Sequence, residues 1–535
     1  MRKLLIVFAL MLLPVILVYS QDNQKKTRKV QITGTKLIHD DKMAKDVQLI
    51  LGNVKITHGN VIMYCDSAYK YGDSNKVEAY GNIHIIQNDS IHLYGDYLEY
   101  DGNSRMVKVR QNVRLVKKET VLTTDYLDYD RNSDIAYYFN GGKIVDSGNT
   151  LTSKLGYFYA NVNEAFFKDS VIAENDRYTI FSDTLKYNTE SKVTRILGPT
   201  FVVSEQNLIY SEDGYYDTSV DFAKLMKNNY VEGKTSLLKG DTILYDRKKG
   251  IGEVFGRMEL IDTANNMIIK GNYGYYNELA KKALATKRAV LLQTYRGDTL
   301  YLHADTLRLD PVQDTVRNEE SKLIRAFHHV QFFRHDFQGR CDSMIYDFRD
   351  SVNIFYKEPV LWAMDNQMTA RLIKLYTRNQ TLYKAELENN AFIVSPEDTL
   401  FYNQLKGKMM TGYIRDNDLY RVDVSGNAQT IYYPKDNEVI IGANKAESSD
   451  MTIYLEQGKI LDIVMRNTPN GVLQPPVFLS EEDSRLIGFR WLEEFKPKSK
   501  DDIFEWRELP KNEDETDIYD GFRIEEMNTA TPPGK

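Results

Sequence analysis

The residues best suited to chemistry here are the acids and histidines, and their spacing decides which chemistry is within reach. An Asp recurs inside one short block, as in Gly95-Asp96-Tyr97-Leu98-Glu99-Tyr100, Thr124-Asp125-Tyr126-Leu127-Asp128-Tyr129, Ser182-Asp183-Thr184-Leu185-Lys186-Tyr187, Gly240-Asp241-Thr242-Ile243-Leu244-Tyr245 and Cys341-Asp342-Ser343-Met344-Ile345-Tyr346. Regular carboxylates could hold stacked calcium ions, but the glycine-rich run of a calcium-binding β-roll is missing. The densest histidines are His328, His329 and His335. His329 and His335 could share a strand face yet would lie roughly 20 Å apart along it, too far for one ion. Gly233-Lys234-Thr235 ends like a phosphate loop, but Asn228 stands where the motif needs its first Gly and no helix follows. No nucleophile elbow or metalloprotease His pair occurs. No catalytic residue, metal or cofactor is therefore assigned, and the chain is not read as an enzyme. A carboxylate-based polysaccharide-processing enzyme on a long β face is the one enzymatic alternative.

The blocks themselves must be positioned by something periodic. Weaker copies centre on Asp66, Lys154, Glu212, Asn272, Asp305, Arg371 and Gln404, giving twelve copies that recur every 29 residues or slightly more. A strict period means one supersecondary unit stacked on itself, because a single unit cannot bury its apolar face. Alternation within a block has period two, which makes it a β-strand with Asp96, Leu98 and Tyr100 expected on one face. Pairs such as Gly52-Asn53, Gly81-Asn82, Gln111-Asn112, Gly198-Pro199, Gly256-Arg257 and Gly426-Asn427 open the next strand, and are expected to be tight reversals. Each repeat then supplies about two strands and two turns. The 37 Tyr and 22 Phe, with abundant Val, Ile and Thr, favour a pleated fold. The expectation is an all-β, elongated, repeat-built stack of antiparallel strands.

Met1-Arg2-Lys3, the apolar run Leu4 to Tyr19 and Ser20 have the order of a secretory leader, cleaved after Ser20. The domain reading is 1–20 signal peptide, 21–475 repeats (clearest over 30–260, weaker over 261–475), and 476–535 an acidic, partly flexible tail. Net charge is −7, and the segment from Glu481 onward accounts for it. The repeats are thus close to neutral, which gives no electrostatic reason to bind nucleic acid. After Glu481, the spacing of Ile487, Trp491, Leu492 and Phe495 predicts one short amphipathic helix. Trp491 and Trp506 are expected either to dock on a partner or to pack on the stack. Cys65 and Cys341, nine repeats apart, are too distant in a stack for a disulfide.

The inward ladder of Leu98, Tyr100, Leu127, Tyr129, Leu185, Tyr187, Ile243 and Tyr245 is either a filled core or the wall of an apolar groove. A groove suits lipid: at about 0.8 kcal/mol per CH₂, carrying a dozen carbons naked through water costs roughly 10 kcal/mol. Together the runs Gly81-Asn82-Ile83 to Tyr100 and Val113 to Tyr129, and their downstream copies, resemble the OstA-like (organic solvent tolerance) family. That family includes the periplasmic lipopolysaccharide-transport protein LptA and the N-terminal domain of the outer-membrane translocon LptD. The resemblance implies a β-jellyroll, or β-taco, with an open groove for acyl chains. It further implies a periplasmic bridge or chaperone for lipopolysaccharide or a related envelope lipid in outer-membrane assembly. Its partners would be an inner-membrane export complex and an outer-membrane translocon barrel, with end-to-end self-association of the stacks. The tail has no counterpart in the family. The alternative is a non-lipid structural or adhesive surface repeat protein with a filled core.

Overall fold

Positive φ marks where this chain bends. Gly52 and Asn53, Gly81 and Asn82, Gln111 and Asn112 each form a consecutive left-handed pair, with φ between 45° and 75°. The computed structural model describes residues 31–39 and 46–510, except 59–60, 88, 147, 189, 296, 315–318, 364, 379–380, 417, 438, 458, 476–477, 479 and 481–482. The expected leader and the residues beyond 510 lie outside these. The described residues form antiparallel strands with a few single 3₁₀ turns, and divide into two compact units at Asn161/Val162. The chain is an all-β jellyroll of antiparallel strands.

In the first unit, short strands β1 (Gln31–Thr33) and β2 (Lys36–Ile38) pair with β3 (Val47–His58). Then β4 (Val61–Tyr71), β5 (Lys76–Gln87), β6 (Ile91–Asp101), β7 (Met106–Lys117) and β8 (Thr120–Asp130) follow as a meander, each pairing with the next. The left-handed pairs fall in the middle of β3, β5 and β7, where the register slips at Leu51/Val54, Tyr80/Ile83 and Arg110/Val113. They are therefore bulged corners rather than the reversals their composition suggests; those lie at 72–75, 89–90 and 102–105. A bulge bends a strand and increases its twist. Each strand thus has two arms, and β8 shows this plainly: one arm pairs with β9 (Ile135–Tyr138), the other with β10 (Gly142–Asp146). Beyond them lie β11 (Asn149–Ser153) and β12 (Leu155–Tyr159).

The corner also resets the alternation. In β6 Leu93, Gly95 and Leu98 are buried while Asp96 is exposed, so the inward step across the corner is three residues. Asp96 does not share the face of Leu98 and Tyr100, as strict alternation would have it. The small residue before each Asp is explained by the same crowding. A Cβ on Gly95 would stand 2.5 Å from Val109 Cγ1, and Gly240 and Gly407 meet Val254 and Val424 in the same way.

The second unit repeats the plan. Register slips fall at Phe255/Met258, Thr286/Ala289, Phe327/Val330, Glu388/Ala391 and Ser425/Ala428. The corner residues there include Gly256-Arg257, Lys287-Arg288, His328-His329, Asn389-Asn390 and Gly426-Asn427. At Gly198-Pro199 the corner splits the strand into Val193–Ile196 and Thr200–Val203.

The segment after Ser480 belongs to this unit. Where the sequence predicts an amphipathic helix, the described residues run as irregular chain with turns at 483–484 and 487–488 and single 3₁₀ turns at Glu493–Phe495 and Asp502–Phe504. Three buried glutamines hold it as a strap. Gln404 donates to Ser484 O (2.8 Å) and accepts from Leu486 N–H (2.8 Å). Gln367 does the same with Arg490 O and Leu492 N–H, both at 2.7 Å. Gln331 donates to Glu505 O at 2.9 Å. A primary amide carries the donor and acceptor of a peptide group, so each glutamine extends the ladder sideways to a chain that runs across it. Leu486 packs with Val394, Ile431 and Tyr433, and Leu492 with Val360 and Trp362. Trp491 lies against Tyr402, and the Trp506 ring covers the Arg340 guanidinium at 3.9 Å.

Candidate apolar groove

The two sets of arms in the first unit enclose a cleft of about 280 Å³. Ile85, Leu93 and Leu115 line it from one set, and Val77, Leu98 and Leu127 from the other. Leu98 and Leu127 are 1% and 2% exposed, so they form the floor between the arms. Fully burying such a side chain contributes roughly 1.5–3 kcal/mol, and the floor is both core and lining. Polar groups are confined to the rim, where Gln87 and Lys117 stand at one set of strand ends and Arg131 and Asp134 at the other. The Tyr129 hydroxyl donates to Asp134 Oδ1 at 2.6 Å. Burial, then that carboxylate, pushes the phenol up to about 12, so it stays a neutral donor.

Of the eight ladder residues picked from the sequence, Leu98, Tyr100, Leu127 and Tyr129 line this cleft. The other four belong to the second unit. There Leu185, Ile243 and Tyr245 are packed to 2% exposure or less, and Tyr187 is half-buried. The Tyr245 hydroxyl is held on both sides, accepting from Asn207 Nδ2 at 2.7 Å and donating to Glu278 Oε2 at 3.2 Å. Sequence reasoning missed the rim residues Lys117, Arg131 and Asp134 and the lining Phe158. Their signal is position, since Lys117, Arg131 and Asp134 sit at or beside strand reversals, where the cleft opens.

Two of the histidines serve a corner. His328 and His329 are a left-handed pair, and their Nδ1 atoms lie 3.3 Å from Asp342 and 2.8 Å from Asp305. Asp298, His335 and Asp336 bring ligand atoms within 4.8 Å of one another, but Arg334 already forks onto Asp336 at 2.6 and 3.3 Å. Both cysteines are free and buried, and burial raises both thiols, Cys65 to about 11.

The first unit thus combines all-β jellyroll strands with an apolar cleft open at its strand ends. Residues 27–183 and 200–298, together just under half of the chain, match the family model described as OstA-like protein, and this region of the chain is OstA-like. No curated protein matches it. Among solved structures it is similar to LptH, the LptA-homologous periplasmic component of the lipopolysaccharide transport device of Pseudomonas aeruginosa. The likeness is 17% identity over 20% of this chain and 80% of that one, at a TM-score of 0.19. Among the described residues no helix is long and apolar enough to cross a membrane.

Proposed function

We propose that this protein is a periplasmic lipid-binding bridge or chaperone in lipopolysaccharide transport and outer-membrane assembly, with acyl chains held in the cleft of the first unit. The cleft carries the proposal: an apolar floor of Leu98 and Leu127 beneath a rim bearing Lys117 and Arg131 matches an amphiphile whose tails are hydrocarbon and whose headgroup is anionic. The OstA-like match supports the same reading. A uniform apolar wall gives successive positions of a chain similar energy, so the protein conducts lipid without choosing a direction. Direction would come from an inner-membrane export complex, and delivery would be to an outer-membrane translocon barrel. End-to-end association of copies would lengthen the path, since unpaired strand edges favour joining.

The second reading, a structural or adhesive repeat protein with a filled core, draws its support from the tight packing at Leu185, Ile243 and Tyr245. A photo-crosslinking amino acid at Leu127, compared with one at Ile243, separates the two in growing cells. Lipid adducts at Leu127 support transport; adducts at neither position, with both variants folded, leave the structural reading standing.

A further inference from the structure

The two outward faces of the first unit differ in charge. On the arms that carry Glu78, Glu99 and Asp128, cross-strand neighbours Lys108 and Arg110 are neutralised: Lys108 meets Glu99 at 3.3 Å and Arg110 meets Asp128 at 2.6 Å. The other set of arms reads differently. One outward row runs Lys55, Tyr64, His84, Tyr94, Arg114, Thr123, Lys143 across paired strands. The next row, two residues nearer the strand ends, runs Thr57, Ile62, Ile86, His92, Val116, Val121, Val145. Neither row contains a carboxylate.

Lys55, Arg114 and Lys143 are all exposed, and none has a carboxylate partner among the described residues. Rings fill the space between them. His84 stacks on Tyr94 at 4.4 Å, Arg114 lies 5.7 Å from the Tyr94 centroid, and Lys55 lies 5.8 Å from that of Tyr64. His84 Nε2 and His92 Nδ1 are 3.1 Å apart. Of the nearby acids, Asp89 and Glu119 sit in the reversals, off the sheet, and the exposed Asp66, Asp96 and Asp125 stand at the bulged corner, on the side of the cationic row away from the apolar row, where Asn82 and Asn112 donate to the first two.

Such a face has a row of cations with tyrosines between them, and beside it a row of Ile and Val. Unpaired cations and amphipathic rings are what the headgroup layer of an anionic bilayer accepts, while the apolar row can enter its acyl boundary. A soluble polyanion would leave that apolar row without a partner. We infer that these two carboxylate-free rows at the outer ends of the arms of the first unit dock on a membrane surface bearing anionic headgroups. The rim residues Gln87 and Lys117 stand at the same strand ends as the apolar row, so docking would bring one lip of the cleft to headgroup level. The inference does not require the cleft to hold lipid.

Vesicle co-flotation of the full chain tests it, using phosphatidylcholine vesicles with and without about one third phosphatidylglycerol. The N-terminal apolar run is common to every variant, so the readout is the preference for anionic over neutral vesicles. The expected preference is roughly tenfold or more at low salt, weakening as salt screens the row. Lys55→Glu/Arg114→Glu/Lys143→Glu should abolish it, and the corresponding Gln variant should reduce it. Lys108→Glu on the opposite face should leave it intact. Unfolding of the Glu variant, checked by circular dichroism, transfers the decision to the Gln variant. No preference in the wild type, a preference untouched by the folded triple variants, or binding to dextran sulfate but not to vesicles would overturn the inference.

Discussion

Asn82 Nδ2 donates to Asp66 Oδ2 at 2.8 Å, from the bulged corner of β5 to the repeat Asp of β4, sixteen residues before it. The relationship recurs at the same separation: Asn112 to Asp96 at 2.6 Å, Asn228 to Glu212 at 2.8 Å, Arg257 to Asp241 at 2.8 Å. The repeat Asp therefore fastens the corner of the next strand, which is a structural role for the acid that first looked chemical.

A double-mutant cycle on Asp66→Ala and Asn82→Ala should give a coupling of about 1 kcal/mol, the usual net value of such a bond. Gly81→Val should cost more, roughly 2–3 kcal/mol, because φ is +75° and its Cβ would meet Asp66. Urea denaturation checks both. A valine that costs nothing would mean the corner is not fixed.

The corner also explains what the sequence showed and what it hid. Period, strand character and the inward Leu98 and Leu127 were legible because apolar alternation repeats locally. Gly81-Asn82 was misread as a reversal because a hairpin turn and a two-residue bulge ask for the same left-handed backbone. Only the pairing of both flanking arms with one neighbour separates them. The strap was illegible for another reason. Gln331, Gln367 and Gln404 look like solvent-facing strand residues until a segment 80 or more residues distant covers them.

Leu115→Trp should fill the cleft from its wall. Because the ring enters existing space, stability should change by no more than about 1–2 kcal/mol. Lipid crosslinking at Leu127 should fall severalfold. Unchanged crosslinking with the chain folded would remove the cleft as the lipid site.

Gln367→Leu strips the strap of its partner for Arg490 O and Leu492 N–H, leaving buried polar groups unpaired at a cost of roughly 1–3 kcal/mol each. Residues 484–509 should exchange amide hydrogens faster, with cleavage by protease near Arg490. The arms of the first unit should be unaffected.

His303 is held down in pKa by burial, partly offset by its bond to Ala289 O at 2.6 Å, and its ring packs on Phe504 of the strap at 4.8 Å. The neutral form is favoured in the fold, so its contribution is complete above about pH 6.5, the ordinary histidine value, and is lost as pH falls below it. Hydrogen exchange around Phe504 should quicken between about pH 6.5 and 5, and His303→Gln should flatten that dependence.

The sixteen-residue hitch between an acid and the next corner has a consequence for how such a chain can change length. An insertion in one arm alone would slide the next corner past the acid that fastens it, whereas equal lengthening of the two arms about a reversal keeps acid and corner opposite. The copy at Asp305 shows this: its carboxylate meets His329 of the next corner 24 residues on, with the excess shared between the long arms Asp298–Asp314 and Glu319–Arg334. Ancestral duplication and trimming of this scaffold would thus proceed by whole modules or at hairpin tips, and the fastenings themselves would be the last places to tolerate a gap.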